Sequence, residues 1–331
     1  MSVPLIDISA FATGDSATAA HVAREVDEAL QTTGFLAVTG HGVDPALIRG
    51  MTQACTEFFD LPLEEKMRWK NPSGSISRGY VPFGGESNGR TTDGAAPPDA
   101  KEQIAFGRFE VSDEERRAAH ARTAFEPNIL PTQPDGFAAT VNAYYRAMEA
   151  LSGRMLGVFA AALGQPDGFF TDKFDRHTSV MRVLNYPDPA NVTIAPGQLR
   201  SGEHTDFGSL TLLLADDAPG GLQVKLRHGG WIDVVPPPGS YVINIGDLMA
   251  VWTNDRWVSN LHRVAVPPIT PGRSSRRQSI AYFVHANFDA LIECIPGCAS
   301  ASNPARHAPV LAGEHRLMKV RQASMGAYVP G

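Results

Sequence analysis

The sequence has few cysteines, no dense cluster of positive charge and no long apolar run. Its three cysteines, Cys55, Cys294 and Cys298, are too few for a disulfide framework, and a low, odd count is typical of a reducing compartment. No apolar run approaches the roughly 18 residues that a membrane-spanning helix needs, and the amino-terminal residues lack the apolar core of a signal peptide. We therefore expect a cytoplasmic protein with no membrane partner.

The charge balance is mildly acidic. Lysine and arginine number 29, aspartate and glutamate number 35, and the net charge is −6. Nucleic-acid-binding proteins neutralise phosphates with clustered Lys and Arg, so this composition argues against a nucleic-acid partner. Hydrophobic residues make up 43% and charged residues 19% of the 331 residues, which is typical of a folded globular chain. The composition leaves the oligomeric state open.

The first half of the chain has the apolar spacing of helices. One amphipathic stretch follows Ser16, a second begins at Asp44-Pro45, and a long third one runs from Phe137 to Gly164. An apolar run closed by glycines at 34–42 predicts a strand and a turn between the first two helices. Residues 71–101, rich in Gly, Ser, Pro and Asn, are expected to form a long loop that is either a functional lid or a passive surface segment.

From about residue 178 the pattern changes to short apolar runs separated by Gly, Pro, Asn and Asp. The runs fall at 180–184, 210–214, 231–235, 241–245, 264–266 and 280–284. Short strands at such spacing predict a β-sandwich or a barrel. Because no clear linker separates the two halves, we predict one domain over 1–331. It has a largely helical flank with the first strands at 1–177, a β core with the metal site at 178–300 and a C-terminal segment at 301–331.

The most informative short pattern is a histidine and an aspartate two residues apart. Alternate side chains on an extended chain point to one face, so His204 and Asp206 can offer a metal two adjacent ligands. His262 is the candidate for a third ligand from elsewhere in the fold. Two histidines and one carboxylate with open coordination positions form the facial triad of non-haem Fe(II) oxygenases. A His-x-Asp pair alone is also common in surface turns, so its weight depends on the residues that accompany it.

An arginine and a serine accompany the candidate triad. Arg277 and Ser279 are two apart and share one face of a predicted strand. A guanidinium beside a hydroxyl is a suitable receptor for a carboxylate. A carboxylate held there could belong to a molecule whose other end reaches the metal.

These motifs, in this order and spacing, resemble the isopenicillin N synthase-like family of Fe(II)/2-oxoglutarate-dependent oxygenases. The resemblance covers most of the chain and is carried by the segments 4–8, 34–43, 78–80, 181–187, 204–214, 220–224, 244–247, 262–264 and 277–279. It implies a mainly β fold with flanking helices, whose core is a double-stranded β-helix, or jelly roll. It also implies iron at His204, Asp206 and His262.

The resemblance further implies 2-oxoglutarate and O2 as cosubstrates. The keto-acid end of 2-oxoglutarate would chelate the iron and its distal carboxylate would meet Arg277 and Ser279. Asn185 or Tyr186, on the strand that enters the core, is expected to assist, although the family commonly has two tyrosines before the proline and this chain has one. The implied reaction oxidises an unactivated C–H bond of a small organic substrate by hydroxylation, desaturation or ring closure, and it releases succinate and CO2.

The sequence gives less on the substrate itself. Phe283, His285, Trp252 and the 71–101 loop are hypothesised to line its pocket, with Phe283 and Trp252 equally open to a core role. Natural product biosynthesis is one context that such an activity fits. The pattern does not identify the substrate or choose among the three outcomes.

Three other functions compete with this interpretation. An oxidase like isopenicillin N synthase itself would use O2 without 2-oxoglutarate, and its Arg-x-Ser pair would bind the substrate's carboxylate. A zinc hydrolase could use the same three ligands, but no companion general base is evident. A non-catalytic small-molecule receptor could keep the scaffold, although such a protein would be expected to have lost a ligand.

Overall fold

The computed structural model describes residues 2–325 apart from 15, 92–95, 119–123, 217, 219–220 and 227–228. Positions 92–95 of the predicted loop, residue 220 of the glycine motif and positions 326–331 of the predicted C-terminal segment lie outside the described residues. Within the described residues, no helix is both long enough and apolar enough to cross a bilayer.

Strands of both halves of the chain form two facing sheets and one short hairpin. The strands of the large sheet are β1 (Leu5–Asp7), β2 (Phe35–Thr39), β3 (Gly79–Val81), β4 (Glu102–Gly107), β5 (Val180–Tyr186), β7 (Leu210–Ala215), β10 (Tyr241–Ile245) and β12 (Arg277–Val284). The small sheet contains β6 (Ser201–His204), β8 (Leu222–Lys225), β9 (Trp231–Asp233) and β11 (His262–Val264), and the hairpin contains β13 (Leu291–Ile292) and β14 (Val310–Leu311). The orders are β1-β2-β10-β7-β12-β5-β4-β3 and β6-β11-β8-β9.

Helices flank the sheets. They are α1 (Ala10–Thr13), α2 (Ser16–Thr32), α3 (Pro45–Asp60), α4 (Leu63–Met67), α5 (Asp113–Arg117), α6 (Phe137–Ala162), α7 (Thr171–Phe174), α8 (Asp247–Trp252) and α9 (Ala312–Met325), with 3-10 turns at Asn88–Thr91 and Pro189–Asn191. The three amphipathic helices predicted from the sequence are α2, α3 and α6. The Asp44 side chain accepts a 2.8 Å hydrogen bond from the Ala46 amide at the start of α3, as its position before Pro45 predicts.

Alternation along β12 shows how the large sheet separates two apolar layers. Ile280, Tyr282 and Val284 pack toward the helices, whereas Ala281 and Phe283 pack into the space between the two sheets. A strand buried on both faces has this pattern, which explains the unbroken apolar run in the sequence. The facing sheets with flanking helices confirm the predicted jelly-roll core.

The amino-terminal half contributes more to this core than the sequence predicts. β2 pairs with β10, and β4 pairs with β5 over six positions, so the large sheet extends beyond 178–300. The predicted 71–101 loop is corrected as well, because it contains β3 and a 3-10 turn. The glycine- and serine-rich composition hides a three-residue strand, which forms by pairing with β4 and bridging to Lys70.

A glycine fixes the start of β2. Gly34 has a φ of +72°, and a Cβ built on it would lie 1.9 Å from the Val258 carbonyl oxygen. No other residue type fits this close approach without strain. The contact ties β2 to the segment that leads into β11, the strand that carries His262.

Candidate active site

The small sheet brings the three predicted metal ligands together. His204 ends β6 and His262 begins β11, and the two residues are direct partners in the antiparallel ladder. Asp206 lies two residues beyond the end of β6, in the segment that leads to β7. One ligand atom from each side chain lies within 4.8 Å of the others, a spacing that allows one ion to be bound by all three.

Hydrogen bonds leave one defined atom free on each of the two histidines. Nδ1 of His204 lies 2.7 Å from the Gly202 carbonyl oxygen and Nδ1 of His262 lies 3.2 Å from the Asn260 carbonyl oxygen. Each Nδ1–H therefore donates to a carbonyl, and each Nε2 keeps its lone pair.

The two oxygens of the Asp206 carboxylate also have different surroundings. Its Oδ2 accepts hydrogen bonds from the Thr211 hydroxyl and, at 2.7 Å, from Nδ2 of Asn244. Its Oδ1 lies 3.9 Å from Nε2 of His204 and 3.8 Å from Nε2 of His262. Two imidazole nitrogens and one carboxylate oxygen thus converge, and this donor set fits Fe(II).

The surroundings set the protonation states that metal binding needs. Burial, and after it the neighbouring His262, lowers the pKa of His204 from 6.5 to about 4. Burial alone would raise the pKa of Asp206, but His262 and His204 hold it below its ordinary value, with help from the two hydrogen bonds on Oδ2. At neutral pH the site therefore presents a neutral His204 and an ionised Asp206, the forms that bind a cation.

A buried arginine lies on the inner face of the large sheet, the face that is directed toward the small sheet. Arg277 and Ser279 occupy alternate positions of β12 with Ala281, which faces the inter-sheet space. Nη1 of Arg277 is buried and has no hydrogen-bond partner among the described residues. Its guanidinium carbon lies 5.3 Å from the centre of the Tyr186 ring. A buried guanidinium with an unused donor fits a carboxylate ligand such as the distal end of 2-oxoglutarate.

A second buried arginine, which the sequence reasoning missed, lies beside the first. The guanidinium carbon of Arg200 is 5.8 Å from the Tyr186 ring centre, and its Nε and Nη1 are buried without hydrogen-bond partners among the described residues. Burial and the adjacent Arg277 lower the pKa of Arg200 to about 10. Two neighbouring buried cations favour an anion between them. No local motif marks Arg200, since only the tertiary fold brings it next to Tyr186.

The structure separates Asn185 from Tyr186. Tyr186 faces the inter-sheet space, whereas Asn185 faces the helical side, where its Nδ2 donates to Glu102 at 2.8 Å and its Oδ1 accepts from Arg276 at 3.1 Å. Adjacent residues of a strand point to opposite faces, so only one of the two can reach the inner cavity.

Trp252 is also directed away from the metal ligands. It lies in α8, where its ring stacks on Phe174 and meets the Phe170 ring edge-on in the core under the helices. Of the two roles left open for it by the sequence, the structure places it in the core. Phe283 and His285, by contrast, line a pocket that also exposes His204 and Asp206.

This pocket has a volume of about 430 Å³ and opens next to the metal ligands. Its lining combines β-core residues with the predicted loop and α9; it includes Ser77, Glu86, Asn88, Arg182, Phe207 and Arg316. The volume is that of a site for one small molecule. The predicted 71–101 loop therefore contributes to the pocket wall.

One side of the pocket, at Glu86 and Arg182, belongs to a balanced quartet of charges. Glu86 pairs with Arg182 at 2.8 Å and with Lys101 at 3.0 Å, and Lys101 also pairs with Asp99 at 2.6 Å. Oδ1 of Asp99 accepts a 2.9 Å hydrogen bond from the Gly202 amide in β6, the strand that ends in a metal ligand. Two acids and two bases leave this side of the pocket without net charge.

Comparisons with known proteins agree with this geometry. Residues 178–286 match the sequence model described as the 2OG-Fe(II) oxygenase superfamily, and residues 3–133 match that of the non-haem dioxygenase in morphine synthesis N-terminal domain. A 2-oxoglutarate-Fe(II) type oxidoreductase of Emericella nidulans is 33% identical over 311 residues, which cover 93% of this chain and 86% of that protein. The chain belongs to the 2OG-Fe(II) oxygenase superfamily.

Other members of the superfamily extend the likeness. The validamycin A dioxygenase of Streptomyces hygroscopicus subsp. limoneus is 33% identical over 323 residues, which cover 96% of this chain and 86% of that protein. The crystal structure of a full-length Neurospora crassa protein in complex with alpha-KG and thymine has a TM-score of 0.83 and 33% identity, with 98% of this chain and 97% of that chain covered. This oxygenase is thus a 2-oxoglutarate/Fe(II)-dependent dioxygenase, and the predicted Fe(II), 2-oxoglutarate and O2 are confirmed.

Proposed function

We propose that His204, Asp206 and His262 hold Fe(II) and that Arg277 and Ser279 bind the distal carboxylate of 2-oxoglutarate. The observation that carries the proposal is the convergence of the three free ligand atoms, Nε2 of His204, Oδ1 of Asp206 and Nε2 of His262, beside a pocket that His204 and Asp206 line. The unpartnered Nη1 of Arg277 on the inner face supports the second half. When bound, Fe(II), 2-oxoglutarate and O2 supply the oxidation of a C–H bond and yield succinate and CO2.

Tyr186 and Arg200 complete the proposed cosubstrate site. The Tyr186 ring lies within 6 Å of both guanidinium carbons, at 5.3 and 5.8 Å, and packs on both cations. Arg200 adds a second positive charge to a buried region where a dianionic cosubstrate would otherwise be costly. Asn185 acts indirectly in this proposal, through its hydrogen bond to Arg276 on the outer face.

The protein's share of the chemistry is positioning. Thr211 and Asn244 orient the Asp206 carboxylate so that one oxygen faces the metal. Phe207 and Phe283 give the adjacent pocket apolar walls, which hold the target C–H bond close to the ligands and limit the access of water. The substrates or ligands that the relatives' descriptions name, validamycin A and thymine, are unlike each other, which supports a small-molecule substrate without indicating which one.

The proposal includes a cytoplasmic location, which the three free cysteines support. The absence of nucleic-acid and membrane partners stays a prediction from composition. Hydroxylation, desaturation and ring closure all remain open as outcomes, because they depend on how the unidentified substrate is positioned.

An anaerobic titration of the Fe(II)-loaded protein with 2-oxoglutarate tests the site assignment. Chelation of the metal by the keto acid should produce a visible charge-transfer band in the wild type. Arg277→Gln should still bind Fe(II) but should need at least about tenfold more 2-oxoglutarate for half-saturation, since a charge-assisted pair is lost. Arg273→Gln, which changes an exposed arginine in the preceding loop, is the matched control and should titrate like the wild type.

Two results would contradict the proposal. An unchanged half-saturation in Arg277→Gln would mean that the distal carboxylate binds elsewhere. The lack of any band, with iron bound at one equivalent, would favour the oxidase that works without 2-oxoglutarate.

A further inference from the structure

Helix α9 presents a second arginine to the substrate pocket. Arg316 and Val320, one helical turn apart, line the pocket from its outer side. The helix is held in place by a 2.8 Å ion pair between Lys319 and Asp247, the first residue of α8. Arg316 is thus part of the pocket wall.

The charge of Arg316 has no counter-charge in the described part of the chain. Its guanidinium makes no ion pair and no hydrogen bond with any described residue. The charges nearest to it have the same sign: burial, then Arg78 and Arg182, lowers the pKa of Arg316 from 12.5 to about 10. Arg182 is already neutralised by Glu86, and Arg78 donates to the carbonyl oxygens of Glu126 and Ser77.

The remaining pocket groups add no negative charge. Burial, then the positive charges of Arg316 and Arg182, lowers the pKa of His285 well below its ordinary value, so this ring is neutral. The four charges around Glu86 sum to zero, and the negative charge of Asp206 is assigned to the proposed metal ion. A partly buried cation that has no partner among the described residues is costly in the empty pocket and becomes favourable when an anion binds.

We propose that the substrate of this oxygenase carries a carboxylate that pairs with Arg316, while its oxidisable carbon faces His204 and Asp206. The inference rests on the proposed function, in which the metal and Arg277 account for both carboxylates of 2-oxoglutarate and leave Arg316 to the second substrate. A carboxylate matches the planar fork of a guanidinium, and its single charge balances the single uncompensated cation.

The other pocket walls define the body of such an acid. Phe207, Phe283, Val180 and Val320 contribute apolar surface, and the guanidinium carbon of Arg182 lies 5.7 Å from the Phe283 ring centre. A volume of about 430 Å³ accommodates a monocarboxylic acid with an aromatic or aliphatic body. The substrate class is therefore a small amphipathic carboxylic acid.

The test compares carboxylic acids with their primary amides, which have nearly the same shape but no charge. The probes are phenylacetate, 4-phenylbutyrate, cinnamate and octanoate, each against its amide, with anaerobic Fe(II)-loaded protein and excess 2-oxoglutarate to occupy the Arg277 end. Thermal-shift titration gives an apparent affinity for each probe. We expect at least one acid to bind at least about tenfold more tightly than its amide.

Two variants assign this preference to the residue. In Arg316→Gln the preference should fall to less than about twofold, and Arg316→Lys, which keeps the charge without the fork, should restore part of it. Arg321→Gln, an exposed residue of the same helix with the same change of charge, should keep the full preference. In the absence of any probe, Arg316→Gln should melt at or above the wild-type temperature, because Arg316 has no partner among the described residues that the change would remove.

The proposal is overturned if no acid binds better than its amide, or if the preference survives in Arg316→Gln. Failure of the proposed function would look different. In that case the charge-transfer band with 2-oxoglutarate would be absent, while the acid preference and its loss in Arg316→Gln would still be measured.

Discussion

At the scale of single residues, both oxygens of Asp206 have a defined position. Oδ1 faces the proposed metal site, and Oδ2 is held by hydrogen bonds. Thr211 and Asn244 both hydrogen-bond Oδ2, and Asn244 comes from β10 in the large sheet. The ligand is therefore oriented by a strand of the opposite sheet. Loss of such an orienting bond weakens a metal site without removing a ligand.

Asn244→Ala should accordingly lower the Fe(II) affinity by roughly 10- to 100-fold while leaving all three ligands in place. Asn244→Asp should not rescue the affinity, because a second carboxylate repels Asp206. The affinity is measured by anaerobic competition with a chromophoric chelator. An Fe(II) affinity equal to that of the wild type would mean that Asn244 does not orient the ligand.

Glu86 is the buried acid on which the charge quartet depends. Burial alone would raise its pKa, but Arg182 and Lys101 lower it from 4.5 to about 2. Because the folded-state pKa is below the unfolded one, the ionised group stabilises the fold above pH 4.5 and loses this contribution as the pH falls toward 2. The shift corresponds to a stabilisation on the order of 3 kcal/mol.

Glu86→Gln should therefore lower the free energy of unfolding at pH 7 by about 3 kcal/mol or more, since it also leaves two cations without their partner. The difference from the wild type should stay constant above about pH 5 and shrink below it. Urea unfolding at a series of pH values measures both effects. Glu64→Gln, at an exposed position, is the control, and a destabilisation by Glu86→Gln that persists unchanged to about pH 3 would refute the assignment.

Some of the proposed site residues are marked by a short sequence pattern. For others, the pairing of the strands is needed to tell which face of the sheet each side chain occupies. The two-residue spacings of His204 with Asp206 and of Arg277 with Ser279 are visible in the sequence. The choice between Asn185 and Tyr186 is not, because it depends on which of them faces the inter-sheet space. The structure pairs Arg277 with Tyr186 directly across the ladder, which puts both on one face.

At the scale of elements, α9 closes the outer side of the pocket and is attached to the core through an ion pair. Lys319 pairs with Asp247, which also accepts hydrogen bonds from Thr205 and Ser259. Thr205 stands between two metal ligands in the chain. The helix is thus anchored next to the metal site through one carboxylate.

Lys319→Met should loosen α9 without unfolding the core, because the apolar layers do not include Lys319. Hydrogen exchange of the amides at 312–321 should become several-fold faster, while exchange in β5 and β12 stays at the wild-type rate. Arg321→Met, a substitution of an exposed side chain on the same helix, should leave exchange unchanged. Equal exchange in wild type and Lys319→Met would show that the ion pair does not hold the helix.

Elements with strong periodicity were predictable, and short ones were not. The spacing of apolar residues predicts α2, α3, α6 and several strands from β5 onward. A helix that is buried on one face has apolar residues at helical spacing, and a strand that is buried on both faces has a continuous apolar run. β3 has only three residues in a glycine-rich segment, so no periodicity marks it. Its existence depends on β4, a partner that lies farther along the chain.

At the scale of the whole molecule, the proposed active site lies where the two sheets face each other. The small sheet supplies the two histidines, the large sheet supplies Arg277, which is proposed to bind the carboxylate, and the amino-terminal half and α9 line the outer pocket. The histidines and Arg277 lie in motifs that are visible in the sequence. The arginines Arg182, Arg200 and Arg316, brought in from unrelated segments, could be recognised as site residues only in the fold.

The most direct test of this account is a crystal structure of the anaerobic complex with Fe(II) and 2-oxoglutarate, with an anomalous difference map at the iron edge. We expect one iron peak bonded to Nε2 of His204, Oδ1 of Asp206 and Nε2 of His262, with the distal carboxylate of 2-oxoglutarate on Arg277 and Ser279. An iron peak away from these three atoms, or a 2-oxoglutarate carboxylate bound at another arginine, would contradict it.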